Sequence, residues 1–310
     1  FLNKVLLFLM LVLAALLYSL FFLPDKAAQE SVLSSIKTKH VLLQKITSPK
    51  IIFTGGSNVS FGLDSKTITD SLKMPVVNTA IHGGLGLEFM MNNVKPYFHK
   101  GDVVVLIPEY ENFYTDNFYG EMELVSLLFD IEPQERASVD ATQWIRLAKY
   151  ILPYSAKKIK NRFTELLQKE KVSEEIDIYA KQSFNQYGDT YIHWMLPNQS
   201  FTPIKIAMNE KVKHEVISFI KEFKTYVEKQ QAMLILLPPV MEENSYVNLQ
   251  DIINNISMEL KKNEIAYYSA PLRYKFTAGY FFNTYYHTNK QGVDLRTKLI
   301  IEDLKSAIKK

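Results

Sequence analysis

Residues 51–64 read IIFTGGSNVSFGLD, and the reading of this stretch decides the fold. Ile51, Ile52 and Phe53 make a short apolar run that fits a buried strand. The run breaks at Gly55 and Gly56, puts Ser57 at the turn, and resumes near Leu63 as a helix start. A serine at a strand-to-helix turn presents its hydroxyl at the carboxyl edge of a sheet, beside N–H groups that point the same way. The two glycines permit a sharp turn and leave room above the hydroxyl. The stretch fits a displayed nucleophile. It equally fits a tight turn in which Ser57 only caps the following helix.

Downstream, residues 65–72 read as a short helix, 75–78 (PVVN) as a second strand and 87–94 as a helix. Residues 102–108 (DVVVLIP) are a β-branched run between Gly101 and a proline, the pattern of a buried strand. Residues 232–237 (AMLILL) and 265–268 (IAYY) read as a fourth and a fifth. Amphipathic segments 204–229 and 246–262 precede these two, and a helix over 290–309 closes the chain. Such alternation predicts a mostly parallel sheet with helices on both faces. Residues 109–203 interrupt it: they hold no strong strand, and helical stretches fall near 122–129 and 141–168. They read as an insertion over the carboxyl edge, a cap or partner-binding region. Trp144 and Trp194 within it fit either a sugar-stacking surface or the insertion's own core.

Upstream, residues 5–23 (VLLFLMLVLAALLYSLFFL) are nineteen residues without a charge, preceded by Lys4 and ended by Pro24-Asp25-Lys26. At about 1.5 Å per residue they cross most of a bilayer core. A signal peptide cleaved near Ala27-Ala28 is the rival reading, but its apolar core runs to only about 7–15 residues. Residues 1–26 therefore read as one transmembrane anchor and 27–310 as the body. Lys4 favours an extracytoplasmic body, against the weaker pull of Lys26. Residues 27–47 read as one helix with Val32, Leu33, Ile36, Val41, Leu42 and Leu43 as apolar positions, stopped by Pro49.

Basic and acidic side chains nearly balance, 36 against 33, so no nucleic-acid partner is expected. The Lys-rich run 157–171 also contains Glu165 and Glu170 and reads as a solvated helix face. Cysteine is absent, which excludes disulfides, thiolate catalysis and Cys-ligated zinc. The six histidines include no HExxH, so no metal site is expected. Gly84-Leu85-Gly86 lacks the third glycine of a dinucleotide site, and 55–62 lacks the lysine of a P-loop. His82, beside those glycines, reads as a hydrogen-bonded loop residue.

The second informative stretch is residues 281–292, FFNTYYHTNKQG. His287 falls after the last strand and before the last helix, at the sheet edge that would carry Ser57. A serine hydroxyl needs a base to take its proton, and imidazole is suited to that near neutral pH. The base in turn needs an orienter, normally a carboxylate, and the nearby candidate is the amide Asn283.

Gly56-Ser57 after the first strand, Asn78 with Gly83-Gly84 after the second, and Asn283…His287…Gly292 before the last helix together resemble the SGNH/GDSL hydrolases. The wording GGSNVSFGLD, NTAIHGGLG and YYHTNKQGVDLRT behind an apolar N-terminal helix looks like the membrane-anchored SGNH-like proteins that accompany MBOAT acyltransferases, in D-alanyl-lipoteichoic acid and alginate O-acetylation systems. The resemblance covers residue 50 onward, apart from the insertion. It implies a flavodoxin-like three-layer α/β/α sandwich of about five parallel strands. It implies Ser57 as nucleophile, His287 as general base, Asn283 beside it, and an oxyanion or substrate-binding set from Gly56, Asn78, Gly83 and Gly84. No cofactor is implied. The sequence departs from the pattern at three places. Gly56 replaces the aspartate of GDS, residues 108–112 (PEYEN) replace the third block, and Thr284 stands where the histidine's aspartate belongs. Glu109 and Asp189 are the carboxylates that could compensate.

Two functions fit. One is a serine acyl-transfer enzyme, an O-acyltransferase or esterase acting on a cell-envelope or exported polysaccharide. The other is a weak or inactive SGNH-like subunit that binds glycan or an integral-membrane acyltransferase. The expected partners are that MBOAT-like acyltransferase, touched by the membrane helix, and a polysaccharide or teichoic-acid-like acceptor. Part of the insertion is expected over or beside the Ser57 edge.

Overall fold

The computed structural model describes residues 1–47, 49–167, 177–205 and 210–309. Its main sheet has four parallel strands, β1 (Ile51–Gly55), β2 (Val76–Asn78), β3 (Val103–Ile107) and β4 (Met233–Leu236), in the order β2-β1-β3-β4. Phe53 pairs with Asn78 on one side and Val105 on the other, and Val105 pairs with Ile235. Every residue of the inner strands β1 and β3 is buried, which is why both read as unbroken apolar runs.

Successive side chains feed opposite faces. Ile52, Val104 and Leu106 pack with Leu87, Met91, Ile220, Phe223 and Ile256, from the helices Leu87–Val94, His214–Lys229 and Gln250–Lys262. Ile51, Phe53, Val103 and Val105 pack with Ile68, Ile300 and Leu304, from Ser65–Leu72 and the last helix, Lys290–Ile308. Both faces are thus covered, as a parallel sheet requires.

Three expectations are corrected. The fifth strand does not form: Glu264 turns the chain with φ +62°, and only the Tyr268 N–H reaches the ladder, donating to Leu236 O at 2.8 Å. A separate pair, β5 (Met241–Glu242) and β6 (Lys275–Phe276), forms instead. The single helix expected over 27–47 breaks at Ser31 into Lys26–Glu30, a 3₁₀ turn and Ser35–Lys45, because Ser31 is extended and the Val32 N–H turns to Tyr179 O at 2.7 Å. Residues 204–229 become helical only at His214, with 206–209 outside the described residues. Residue 168 and the rest of the basic run to 171 also lie outside them.

The insertion builds its own apolar cluster. Leu124 and Leu128, from Met122–Ser126 and the π turn Leu127–Ile131, meet Leu147 and Tyr154 of the long helix Ala141–Leu167. Val32, Leu33 and Ile36 pack into the same cluster, and Trp144 lies against it with its ring edge-on to Phe129. Trp144 is therefore packing, not a free stacking platform.

The N-terminal helix, Leu2–Phe22, is long and apolar enough to cross a membrane. Only Ser19 and Leu20 of it are buried, and both sit on the long inserted helix. Ser19 Oγ donates to Ser155 O at 2.8 Å, and Lys158 Nζ donates to Leu20 O at 3.1 Å. Lys158 also pairs with Asp130 at 2.9 Å, both side chains being almost fully buried. Tyr154 OH and the Asp25 N–H complete the Asp130 carboxylate at 2.5 and 3.0 Å. Lys158→Met removes the cation and leaves a buried anion, a change that costs about 3–5 kcal/mol. The denaturation midpoint of the detergent-solubilised chain should fall accordingly; an unchanged midpoint would show that this junction carries little stability.

Candidate active site

The chain leaves β1 at Gly55, passes Gly56 and enters a one-turn helix, Ser57–Ser60. Each small or polar residue of this turn answers a neighbour. A Cβ on Gly55 would meet Ile107 O at 2.5 Å, and one on Gly56 would meet Glu109 Oε1 at 2.5 Å. A Cβ on Gly62 would meet Arg296 Nη1 at 2.0 Å. Asn58 is fully buried and works from both ends. Its backbone N–H and side-chain Nδ2 donate to Glu109 Oε1 at 3.1 and 3.2 Å. Its side-chain Oδ1 accepts from Arg296 Nη2 at 3.0 Å, and its backbone O accepts from Nη1. Arg296 is itself fully buried, which lowers its pKa to about 10 and leaves it cationic at neutral pH.

Ser57 is partly exposed, and among the described residues its hydroxyl has no hydrogen-bond partner. His287 is brought to the same edge. Its ring stacks on Phe61, four residues after Ser57, with centroids 4.2 Å apart and planes 9° from parallel. Thr288 Oγ1 donates to Phe61 O at 3.2 Å, and the His287 N–H donates to Thr284 Oγ1 at 3.0 Å. His287 Nδ1 lies 2.9 Å from Asn283 Oδ1, while Asn283 Nδ2 donates to Tyr179 OH at 2.9 Å. An amide oxygen only accepts, so Nδ1 carries the hydrogen and Nε2 keeps its lone pair. Burial, with His193 and His82 adding to it, pulls the His287 pKa down to about 3. The imidazole is neutral throughout the physiological range, held in one tautomer, and weakly basic.

Neither candidate carboxylate reaches this histidine. Asp189 is fully buried and accepts from Ser65 N at 2.8 Å, Ser65 Oγ at 2.6 Å and Asn78 Nδ2 at 2.9 Å. Glu109 goes to the serine side, with one oxygen against Gly56 and Asn58 and the other where a Cβ on Gly83 would lie. Asn78 is likewise committed, since its second amide hydrogen goes to Val59 O at 3.3 Å. It braces the turn and offers no donor to a substrate. The Gly84 N–H is taken by His82 Nδ1 at 3.0 Å. The Ser57 and Gly83 N–H groups have no acceptor among the described residues and are free to donate at this edge.

Sequence reasoning did not anticipate six of the residues here. Asn58 and Arg296 join over 238 positions. Phe61 gives His287 its stacking surface. Tyr179 and His193 come from the insertion: Tyr179 holds Asn283, and His193 Nε2 lies 3.0 Å from Thr288 O. Glu111, two residues beyond Glu109, accepts from Tyr286 OH at 2.6 Å and Tyr285 OH at 3.1 Å, and burial beside Glu109 raises its pKa to about 7. Residues of the insertion thus lie beside the serine edge. A cavity of about 240 Å³ opens next to it, lined by His82, Glu123, Tyr179 and Lys157 and by Ala27 and Ala28 just past the apolar helix.

Gly62→Ala tests the frame. The methyl group would fall on Arg296 and the Asn58 carbonyl, and a forced shift in a packed core costs about 1–3 kcal/mol. A lower melting temperature should follow; unchanged stability would mean that the Asn58–Arg296 contact is slack. No protein-family model and no curated protein matches the chain.

Proposed function

We propose that the protein is a membrane-anchored serine acyl-transfer enzyme, an O-acyltransferase or esterase of SGNH-like, three-layer α/β/α type. The observation that carries this reading is the oriented His287, stacked on the segment that follows Ser57, with its Nε2 lone pair free. In the reaction, Ser57 Oγ attacks the acyl carbonyl and its proton passes to His287 Nε2. The tetrahedral oxyanion lies against the N–H groups of Ser57 and Gly83. Collapse expels the donor's alcohol, which takes the proton from His287. The acyl-serine then passes to a polysaccharide hydroxyl, or to water, with His287 again as the base.

The long exposed apolar helix supports the anchor. A helix bare on nearly every side is stable in lipid and a liability in water. An anchored body with its serine edge extracytoplasmic gains effective concentration beside an integral-membrane, MBOAT-like acyl donor. A teichoic-acid-like or other envelope polysaccharide is the acceptor in this reading.

One observation favours the second reading, a binding subunit with little activity. The Glu109 carboxylate is wedged between Gly56 and Gly83, where an oxyanion would have to form. A negative charge there opposes a second one. An amide in place of the orienting carboxylate also lowers turnover, by up to about 10⁴-fold in a serine triad.

A fluorophosphonate serine probe separates the two. Slow labelling of the wild type that disappears in Ser57→Ala supports the enzyme. Asn283→Asp should speed labelling at least tenfold, because a carboxylate stabilises the imidazolium that forms. Absence of Ser57-dependent labelling in both proteins leaves the binding subunit.

The pH profile gives an independent reading. A base is competent only when neutral, so with His287 at about 3 the wild-type rate should show no inflection near the ordinary imidazole value of about 6.5. Its acid limb lies towards the lower value, and Asn283→Asp should move that limb upward. A wild-type inflection at the ordinary value would place the base in solvent or on another residue.

A further inference from the structure

The long inserted helix, Ala141–Leu167, has two apolar sides. One side, with Leu147 and Tyr154, is buried in the insertion core. The other has no partner among the described residues. Ile145, Leu152, Phe163, Leu166 and Leu167 are 50–84 % exposed, with Ala148 and Ala156 between them and Ile159 half-buried. At 3.6 residues per turn these positions fall within a strip about 100° wide, the apolar width of an amphipathic helix. Lys160 and Arg162 border the strip, Lys149 and Arg146 lie at its near end beside Asp116, Lys157 turns toward the cavity at the serine edge, and Glu165 is the one acid in the whole helix.

We infer that this helix lies on the bilayer surface, with the strip sunk among the lipid headgroups and the basic border facing anionic lipid. The inference rests on the reading of Leu2–Phe22 as a membrane anchor. That helix ends on the middle of the inserted one, through Ser19 to Ser155 and Leu20 to Lys158. The end of an apolar span about 30 Å long comes at headgroup level. Tyr18 and Phe22, stacked and exposed there, match the aromatic residues that collect at that depth. The inserted helix is therefore held at the one depth where an apolar strip with cationic flanks is favourably solvated. A water-facing strip of this size would be an aggregation liability. A protein partner would not call for the cationic border. Lipid accounts for both features.

The consequence is orientational. A single spanning helix leaves its body free to swivel, whereas a spanning helix joined to a surface helix fixes the body's tilt. Tyr179 then sets the His287 edge at a defined height above the membrane.

The absence of cysteine makes the test direct. Single-cysteine variants Phe163→Cys and Leu9→Cys of the full chain carry the fluorophore nitrobenzoxadiazole, and each is reconstituted into vesicles of phosphatidylcholine and phosphatidylglycerol. The Phe163 probe should show blue-shifted emission, protection from aqueous iodide, and strongest quenching by lipids with a spin label near the headgroup. The Leu9 probe should be quenched most by labels deep in the acyl chains. A water-like, iodide-accessible Phe163 probe beside a buried Leu9 probe overturns the surface helix and leaves the anchor standing; a partner-binding face would give that result in these protein-free membranes. A Leu9 probe outside the bilayer overturns the anchor, and the Phe163 probe then decides the surface helix by itself. Adding Leu152→Glu to the Phe163→Cys protein should return that probe to the aqueous signature while the fold, followed by circular dichroism, is retained. Continued burial of the probe in that variant would also overturn the inference.

Discussion

The candidate site depends on one buried cation, Arg296, and on the amide that stands between it and an anion. Asn58 receives two hydrogen bonds from the guanidinium through its oxygens and gives two to Glu109 through its nitrogens. The charges never touch, yet each has a hydrogen-bonded partner, and the bridging amide is polarised in the sense that both prefer. A lone buried guanidinium would cost several kcal/mol. Removing any one of the three would leave the others uncompensated. Because Asn58 follows Ser57, Glu109 follows β3 and Arg296 lies in the last helix, the bridge joins three separate parts of the chain beneath the serine. Its tightness explains the small residues around it: Gly56 admits the Glu109 carboxylate, and Gly62 admits Arg296.

The same bridge sets the electrostatic problem of the site. Glu109 is needed as counter-charge to Arg296, and it is thereby fixed beside the free N–H groups of Ser57 and Gly83. An oxyanion at Ser57 and Gly83 would meet a carboxylate within a few ångströms, although the Arg296 cation behind Asn58 offsets part of the repulsion. On the histidine side the deficit is of another kind. Asn283 selects the tautomer and aims the ring but supplies no charge when the imidazole takes a proton. Geometry and electrostatics pull in opposite directions here. The histidine is aimed by its tautomer and its stacking on Phe61, and the charge that would stabilise its protonated form is missing.

What could be read in the sequence was what local pattern encodes. β1 and β3 were legible because strands buried on both faces must be apolar throughout, the edge strand β4 because its run MLIL is apolar although Met233 is exposed, and Ser65–Leu72 and Leu87–Val94 because their apolar positions keep helical spacing. Ser57 falls in the turn after β1 and His287 just before the last helix, where the sequence pattern put them, and what brings the two segments together is the stacking of His287 on Phe61. Residues 265–268 misled because an apolar, aromatic run also fits a segment that merely touches the sheet once, at Tyr268. The break at Ser31 was illegible because its cause, the Tyr179 carbonyl, is far along the chain. The partner of Glu109 was hidden for the same reason. A carboxylate near a histidine motif invites a pairing with that histidine, and only the fold shows that a backbone amide and a glycine gap claim it first.

The apolar helix and the serine edge form one mechanical path, not two ends of a tether. Ser19 and Leu20 are fastened to the inserted helix, whose Lys158 and Tyr154 share Asp130 with the Asp25 N–H that follows the apolar span. From there Lys26–Glu30 and the next turn run to Tyr179, whose carbonyl takes the Val32 N–H and whose hydroxyl takes Asn283. Asn283 holds His287. Further along, Lys39 donates to the carbonyls of Asn78, Ala80 and Gly188, and so clamps the segment after the apolar helix to the end of β2 and to the insertion at once. Burial lowers the pKa of this lysine to about 7, and three carbonyl acceptors with Asp189 nearby favour its charged form. Each link is a hydrogen bond, buried at Ser19–Ser155 and Leu20–Lys158 and exposed at Tyr179–Asn283, so a displacement at the apolar-helix end must break a contact or move the histidine. An insertion that looks like decoration on the sheet is therefore the part that connects the apolar helix to the candidate site residues.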